Sequence, residues 1–272
     1  NDPGASIMNE QVRAQPSYAA AHDDGSLTGS PSAVWLIVLR ELGHYLQTRS
    51  GYIIGACFLL IAGLLFNLKA FGNSPRYSQD VLADAFYFIG GCTAAAANFF
   101  TMRLFAEERQ TGTLVLLRTS PLTESQLVFA KYFSALLFLV IFMALTTYMP
   151  ALVFYRGNVS LGHVACGYLG VLFLGSAVTA IGTFTSAIAN SQIVAIVLSA
   201  VITVTLLLLW IAARFVDGPL GDIISHLALW DKHFTPFMEG TVSTASVLYY
   251  VSVTVFFLFL ARLGLESRRW RS

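Results

Sequence analysis

Charged residues are scarce in this chain of 272 residues. Asp, Glu, Lys and Arg together make up 11% of it, against 56% hydrophobic residues, and the mean hydropathy is +0.68. Because soluble domains carry about 25% charged residues, the composition excludes that class and predicts an integral membrane protein. The net charge is +1 and no stretch resembles a basic arm, so we expect no nucleic acid among its partners.

Cysteine is also rare, and the positions of the three cysteines indicate neither metal ligands nor disulfide bonds. Cys57, Cys92 and Cys166 all fall inside apolar runs, without the spacing of metal ligands. We therefore interpret them as small buried or lipid-facing side chains rather than disulfides. The sequence predicts no metal site.

The short motifs of catalysis are missing as well. None of the three lysines follows a glycine, so the chain lacks the Gly-x-x-x-x-Gly-Lys-Ser/Thr loop that cradles ATP phosphates. It also lacks His-Glu-x-x-His and Gly-x-Ser-x-Gly, which argues against an intramembrane protease. Asp84, Lys131 and Arg262 lie at the ends of apolar runs rather than at mid-membrane depth, which disfavours a proton-coupled carrier. We predict no catalytic residue and no cofactor bound by this chain.

Long uncharged runs are what the chain has instead. Residues 51–68 are 18 residues without a charge, enough for a helix to cross about 30 Å of hydrocarbon. Pro150 lies near the far end of the third run, where a kink is tolerable. The fourth and fifth runs are divided at Asn190–Gln192. The sequence thus predicts an all-α integral membrane protein with six transmembrane helices, at 51–68, 85–102, 132–155, 161–188, 193–213 and 240–261.

The first 50 residues divide into a tail and an amphipathic helix. Residues 1–32 have no hydrophobic period and are predicted to be a disordered tail, with residues 1–7 either native or a remnant of cloning in front of Met8. Residues 35–47 place apolar side chains at helical spacing, with Arg40, Glu41 and His44 on the other face. This pattern predicts a helix in the plane of the membrane interface rather than an ordinary amphipathic core helix.

The longest charged interruption between two apolar runs is residues 103–131, here called the elbow. If the preceding helix continues past Arg103, Gly112 falls where a left-handed residue would end it. Glu107 and Glu108 would then lie in the last turn, where the carbonyl end of a helix disfavours carboxylates. Solvated side chains on a connector at the membrane surface are the alternative interpretation.

The next helix has two candidate starts. It begins either at Ser120, with Pro121 as its first residue, or at Thr123, with Gln126 completing a capping box.

The elbow reads E-E-R-x-x-G-T-L-x-x-L-x-T-S-P-L, followed by Lys131. This stretch resembles the cytoplasmic segment of ABC-2-type transporter permeases. Residues 246–270 resemble the last helix of the gliding-motility-associated permeases within that superfamily. The resemblance implies a type V exporter-like permease domain over residues 33–272 and a coupling site for an ATPase. Its residues would be Glu107, Glu108, Arg109, Gly112, Thr113, Leu114, Leu117 and Pro121.

The same resemblance implies the partners. Two ABC ATPase subunits would carry ATP and Mg, and a second permease subunit would complete a homo- or heterodimer, with an outer auxiliary subunit as a further candidate. Membrane lipid surrounds the chain. A bacterial inner membrane with both termini in the cytoplasm puts 11 of the 16 Lys and Arg residues inside, as the positive-inside bias predicts.

Residues 214–239 form an outer segment too long for a hairpin turn. We predict one or two short helices there, packed against protein because irregular backbone is not tolerated in lipid; the resemblance also implies re-entrant helices. His226 and His233 are seven residues apart, two helical turns, and are interpreted as interfacial residues. The candidate outer gate consists of His226, Trp230, His233, Phe234 and Phe237.

Two functions follow. The principal one is a permease subunit of an ATP-driven exporter, coupled to its ATPase through the elbow. The alternative is a non-transporting membrane scaffold of a cell-surface or gliding apparatus.

Overall fold

The computed structural model describes residues 31–70, 77–112, 123–156, 160–216 and 218–269. Within these ranges the chain is all-helical, with eleven helices and no strand. The helices are α1 Pro31–Gln47, α2 Arg49–Ala70, α3 Ser78–Thr101, α4 Ala106–Gln110, α5 Glu124–Leu145, α6 Tyr148–Arg156, α7 Leu161–Ile188, α8 Gln192–Ala213, α9 Pro219–Leu227, α10 Asp231–Met238 and α11 Thr244–Arg269.

Six stretches within the described ranges are long and apolar enough to cross a membrane. They are Gly51–Leu68, Ser78–Gln110, Glu124–Tyr155, Leu161–Ile188, Gln192–Ala213 and Thr244–Ser267. Each coincides with one of the six predicted spans, so the predicted all-α membrane fold is confirmed. Only residues 1–30 of the predicted tail lie outside the described ranges. Pro31 and Ser32, also assigned to the tail, belong instead to α1.

The third span is interrupted in its C-terminal half. α5 ends at Leu145, and α6 resumes at Tyr148 after a turn at Thr146 and Thr147. Pro150 explains the position of this turn, since a proline ring clashes with the carbonyl group four residues earlier, here that of Thr146. At the turn, the hydroxyl of Thr146 donates to the Met143 carbonyl at 2.7 Å.

The second span is also interrupted, which corrects the prediction for the elbow. α3 ends at Thr101, a turn follows over residues 102–105, and α4 is a separate short helix. Glu107 and Glu108 therefore lie in the first turn of α4 rather than in the last turn of a continuous helix. At the end of α3, the Thr101 hydroxyl donates to the Ala97 carbonyl of the preceding turn, at 2.7 Å.

The structure confirms two predicted helix ends around the elbow, the end of a helix at Gly112 and the start of the next at Thr123. Gly112 directly follows the C-cap Thr111 and has a φ of 73°, the left-handed conformation that favours glycine. α5 begins after Thr123, whose hydroxyl accepts from the Gln126 amide, while the Gln126 side chain accepts from the Thr123 amide. The alternative start at Ser120 lies outside the described residues.

α7 is the centre of the bundle and contacts α3, α5, α8, α10 and α11. Glycines along it admit large neighbours: a Cβ at Gly175 would lie 2.6 Å from Leu139 Cδ2, and one at Gly182 would lie 2.6 Å from Thr101 Cβ. Such contacts require glycine because any larger residue would push the helices apart. The small residues of the fourth span therefore serve packing within the bundle.

The outer segment forms two short helices, α9 and α10, as predicted. Gly240, with a φ of 81°, follows α10, and residues 241–243 are non-helical. The last helix thus begins at Thr244 rather than at Gly240, and it continues to Arg269, beyond the predicted end at residue 261. The Arg262 side chain donates to Glu266 one turn later, at 2.7 Å, which supports the extension.

α1 lies along α5. Val38 is buried, whereas Trp35, Leu36 and Leu39 are exposed. The predicted interfacial helix therefore has a protein-facing stripe as well as an exposed apolar one, combining the two interpretations of its sequence.

Candidate functional site

Lys131, on the first half of α5, is the centre of a buried ionic cluster. Its side chain is 1% exposed, and its Nζ lies 2.7 Å from Glu108 Oε1 and 3.7 Å from Glu41 Oε2. The ammonium group also stands 5.3 Å from the centre of the Phe105 ring. A buried ammonium is costly unless it is paired, so these contacts hold α1, α4 and α5 together.

The cluster changes the interpretation of the two elbow glutamates. The resemblance places both in the ATPase-coupling site, but Glu108 has a basic partner, Lys131, within the chain. Glu107 differs: its side chain is 39% exposed, and its Oε2 lies 4.0 Å from Arg103 Nε. Of the two carboxylates, Glu107 is the one that faces outward.

Arg109 and Ser186 join the elbow to the hairpin between α7 and α8. The Arg109 guanidinium donates to the Ala187 carbonyl at 2.8 Å and also to the Ala189 carbonyl. The Ser186 hydroxyl accepts from the amides of Phe105 and Ala106, at 3.0 and 3.2 Å. The last carbonyls of a helix have no partner within the helix, so Arg109 satisfies groups that the end of α7 leaves open.

α4 is thus held from two sides. Glu108 attaches it to Lys131 and so to α5 and α1, while Arg109 attaches it to the α7–α8 hairpin. Ala106 is fully buried in a small apolar cluster with Ala189 and Ala195. The arrangement can transmit a displacement of α4 to four longer helices, because buried packing and charged hydrogen bonds resist separation.

The remaining elbow residues predicted to couple to an ATPase are Thr113, Leu114, Leu117 and Pro121. All four lie outside the described residues, so their role stays a prediction.

The three polar residues predicted on α1 do not share one environment. Glu41 is 14% exposed and faces Lys131, whereas the Arg40 side chain is 73% exposed and lies 3.7 Å from Glu41. His44 is exposed, and its carbonyl accepts from the Thr48 hydroxyl at 2.6 Å. Glu41 therefore belongs to the buried cluster rather than to the solvent face.

The aromatic residues of the predicted outer gate form a packed layer. Phe234 and Phe237 are fully buried, and a Cβ at Gly90 of α3 would lie 2.7 Å from the Phe234 ring. Trp230 meets Phe234 at 4.8 Å between ring centres. This layer packs against α3 at Gly90 and against α7 at Gly170.

The two outer histidines lie on different helices and therefore do not share one helical face. His226 is exposed on α9, with the Lys232 Nζ 2.8 Å from its Nε2. His233 is buried on α10, stacks on Tyr249 at 3.9 Å between ring centres and donates to the His226 carbonyl at 3.1 Å. Burial lowers the pKa of His233. Within the described ranges, no cluster of His, Cys, Asp or Glu has the arrangement of a metal site.

Sequence reasoning missed the polar contact that Asn98 makes inside the membrane-spanning region. The side-chain amide oxygen of Asn98 on α3 accepts from the hydroxyls of Ser199 and Thr203 on α8, the latter at 3.2 Å. All three side chains are buried. The available signal was an amide in an otherwise apolar span, since such a group is costly in lipid unless a neighbouring helix satisfies it.

Sequence reasoning also left out Lys131 and Ser186 as site residues. Lys131 had a signal, a charge at the start of an apolar run. Ser186 had none beyond its small size.

Comparison with known proteins agrees with this architecture. The family model described as "ABC-2 family transporter protein" matches residues 46–215, from the end of α1 through α8. No curated protein matches the chain. The match covers more than half of the chain and includes five of the six spans. The chain therefore belongs to the ABC-2 transporter family and is a membrane-spanning permease, the non-catalytic component of an ABC transporter.

Proposed function

We propose that this permease is an exporter driven by a separate ABC ATPase that docks on the elbow. Two permease and two ATPase subunits would form the working unit, with ATP and Mg held by the ATPase. The resemblance of residues 246–270 to gliding-motility-associated permeases supports export and that subtype. The distribution of Lys and Arg supports placing the elbow and both termini in the cytoplasm of a bacterium.

The observation that carries the proposal is the double attachment of α4. Lys131 and Arg109 tie this five-residue helix to α5 on one side and to the α7–α8 hairpin on the other. A partner that displaced α4 during its nucleotide cycle would move the spans together. Coupling of this kind requires an element whose two positions the nucleotide biases, and α4 is our candidate.

The docking surface follows from the accessible groups of the elbow. Glu107 in α4 is partly exposed, Gly112 after α4 is exposed, and the apolar run at Leu114 and Leu117 comes next in the sequence. We assign the apolar side chains to a groove on the ATPase and Glu107 to a basic residue at its edge. Glu108 is assigned to the Lys131 cluster instead.

The experiment is purification of the full chain from its native membrane in mild detergent, with mass spectrometry of the proteins that accompany it. The test variant is Gly112→Val with Glu107→Lys, and the matched control is Gln110→Ala, an exposed change on the same helix. We expect a P-loop ATPase with the native chain and the control, and its loss with the test variant.

Equal recovery of the ATPase with both variants would contradict docking on the elbow. Recovery of structural envelope proteins without any nucleotide-binding subunit would instead favour the alternative of a non-transporting scaffold.

A further inference from the structure

A cleft of about 350 Å³ lies between the end of α8, the start of α9 and the start of α10. Its volume falls within the range of small-molecule sites, about 300–1,000 Å³. Among the described residues that line it, the charged ones are a base, Arg214, and two acids, Asp222 and Asp231. Neither the coupling scheme nor the candidate outer gate uses these side chains.

The walls of the cleft are joined by close backbone contacts. Gly221 of α9 is buried, and a Cβ there would lie 2.1 Å from the Val216 carbonyl oxygen, so α9 begins directly against the chain that leaves α8. The Leu229 amide, between α9 and α10, donates to the Leu206 carbonyl of α8 at 3.0 Å. The charged groups are therefore carried by segments attached to one another, as a largely preformed binding site requires.

Arg214 is held in a way that leaves its hydrogen-bond donors available. Its guanidinium carbon stands 4.4 Å from the centre of the Trp210 ring. This contact positions the charge but supplies no oxygen acceptor for the N–H groups. Within the described residues the side chain forms no ion pair and no hydrogen bond. It is thus available to an oxyanion, which a guanidinium can bind through two N–H groups at once.

The two acids of the cleft provide acceptors of the opposite kind. Asp222 and Asp231 are exposed, and within the described part of the chain neither carboxylate forms an ion pair. A primary ammonium has several N–H donors and can be shared between two carboxylates. A purely anionic ligand would face both acids, whereas a simple cation would face Arg214. The three groups together therefore select a ligand that carries both signs of charge.

The cleft also lies where a lipid headgroup would lie. The fifth span is Gln192–Ala213, so Trp210 and Arg214 mark its end, the level at which tryptophan is enriched in membrane proteins. Leu208 and Ile211 are 49% and 40% exposed and precede Arg214 at intervals of three residues. Such residues share one side of a helix, so an exposed apolar stripe runs from Arg214 into the span.

We propose that this cleft binds the phosphoethanolamine headgroup of a membrane phospholipid. Arg214 binds the phosphate, Asp222 and Asp231 accept from the primary ammonium, and an acyl chain extends along Leu208 and Ile211. A choline headgroup fits less well because its quaternary ammonium has no N–H donor, and a glycerol headgroup because it brings no ammonium. The inference concerns the permease alone and does not depend on ATPase docking, on export or on the side of the membrane that the cleft faces.

The test is lipid retention by the full chain, purified without its ATPase and exposed to equal amounts of phosphatidylethanolamine, phosphatidylcholine and phosphatidylglycerol. Native mass spectrometry then counts the bound lipids. We expect ethanolamine lipid to exceed each of the others by about fivefold, since one exposed ionic contact contributes up to about that factor. Soluble glycerophosphoethanolamine at the same concentration should displace little of it, because it has no acyl chain to lie along α8.

Two variants locate the site. Arg214→Gln should lower the retained ethanolamine lipid by about fivefold, again the contribution of one exposed ionic contact. Asp222→Asn with Asp231→Asn should abolish the preference over phosphatidylcholine while some lipid remains. The matched controls are Arg262→Gln, at an exposed arginine of α11, and Asp80→Asn, at an exposed acid in the first turn of α3. Both controls should leave retention unchanged.

Four results would overturn the proposal. Equal retention of the three lipids would mean annular lipid only, and a preference for phosphatidylglycerol would contradict the role of the two acids. An ethanolamine preference that survives the double aspartate variant would place the lipid elsewhere. Displacement by an equal concentration of glycerophosphoethanolamine would assign the cleft to a soluble ligand. Because no ATPase is present in the assay, these failures are distinguishable from a failure of docking.

Discussion

Lys131 shows how one residue sets the requirements for several others. A primary ammonium that is 1% exposed must keep an opposite charge beside it. Glu108 of α4 and Glu41 of α1 supply that charge, so both helices must lie next to α5. Replacing a buried pair by apolar groups is often tolerated, whereas removing one partner leaves an unpaired charge. The cluster therefore makes the position of α4 depend on α1 and α5.

We predict that Lys131→Ala lowers the free energy of unfolding by about 3–5 kcal/mol, the usual cost of breaking a buried ion pair from one side. Lys131→Met combined with Glu108→Gln should recover most of this loss. Thermal unfolding of the detergent-solubilised chain measures both. Arg262→Ala, at an exposed pair, is the control and should cost about 0–1 kcal/mol. A Lys131→Ala melting temperature equal to that of the control would show that the ion pair is not stabilising.

His233 should make the stability of the folded protein depend on pH. Burial holds the pKa of this ring below its ordinary value; the hydrogen bond to the His226 carbonyl acts the other way, and the charges of His226 and Lys232 lower the pKa again. The unfolded chain therefore binds a proton at this histidine more readily than the folded chain does. As a result, the free energy of unfolding keeps its full value above the ordinary pKa of about 6.5 and decreases as the pH falls below it.

We therefore expect the melting temperature to fall between pH 7.5 and 5.5, and to fall less in His233→Gln, whose amide can still donate to the His226 carbonyl. His44→Gln, at an exposed histidine, should retain the native pH dependence. The same dependence in native protein and His233→Gln would assign it to other groups.

α7 illustrates what a single element contributes. Its glycines contact three other helices, with Phe86 and Thr101 of α3, Leu139 of α5 and Phe237 of α10 against its surface. Apolar burial between helices adds little in lipid, so close packing and hydrogen bonds carry their association. The small residues of α7 are thus the reason that α3 can approach it.

We predict that Gly182→Ala destabilises the bundle by about 1–3 kcal/mol, the typical cost of overpacking. A Cβ there would meet the Thr101 side chain, so Thr101→Gly should relieve part of the loss. Gly91→Ala is the matched control, because a Cβ at Gly91 has no atom within 4 Å and alanine favours helix. Thermal unfolding compares the three variants, and equal stability of the two alanine variants would contradict this packing.

The whole molecule behaves as one helical bundle whose elbow is attached at two places. Asn98 joins α3 to α8, Ser186 joins the elbow to α7, and Tyr45 of α1 donates to the Phe100 carbonyl of α3 at 3.1 Å. Such contacts are spread over the bundle, which favours movement of the spans as a unit rather than separately.

Under the proposed function, Arg109→Gln should uncouple the transporter. We expect the ATPase to copurify as before, whereas the permease-dependent change in ATP turnover falls by about tenfold, the effect of losing about 1.4 kcal/mol from charged hydrogen bonds. ATP hydrolysis by the reconstituted complex measures this. Arg109→Lys should restore part of the coupling, and Gln110→Ala should have no effect. Native-like turnover in Arg109→Gln would rule out the α7–α8 attachment as a coupling contact.

Much of the fold was predictable from local patterns. Uncharged runs locate the six spans because lipid admits only apolar stretches with satisfied backbones. Gly112 and Thr123 mark helix ends through their own conformational preferences. The two short outer helices follow from an apolar segment too long for a turn. In each case the physical cause acts within a few residues.

The sequence alone therefore determined the membrane class, the spans, the helix ends at the elbow and, through the elbow motif, the resemblance to ABC-2 permeases. Only the tertiary structure decided that α3 breaks before Glu107, that Glu108 belongs to Lys131, and that Arg109 reaches the end of α7. These contacts join residues that lie 23 to 80 positions apart. Local periodicity does not encode which polar group meets which across helices, because that choice depends on how the packed bundle removes each group from lipid and water.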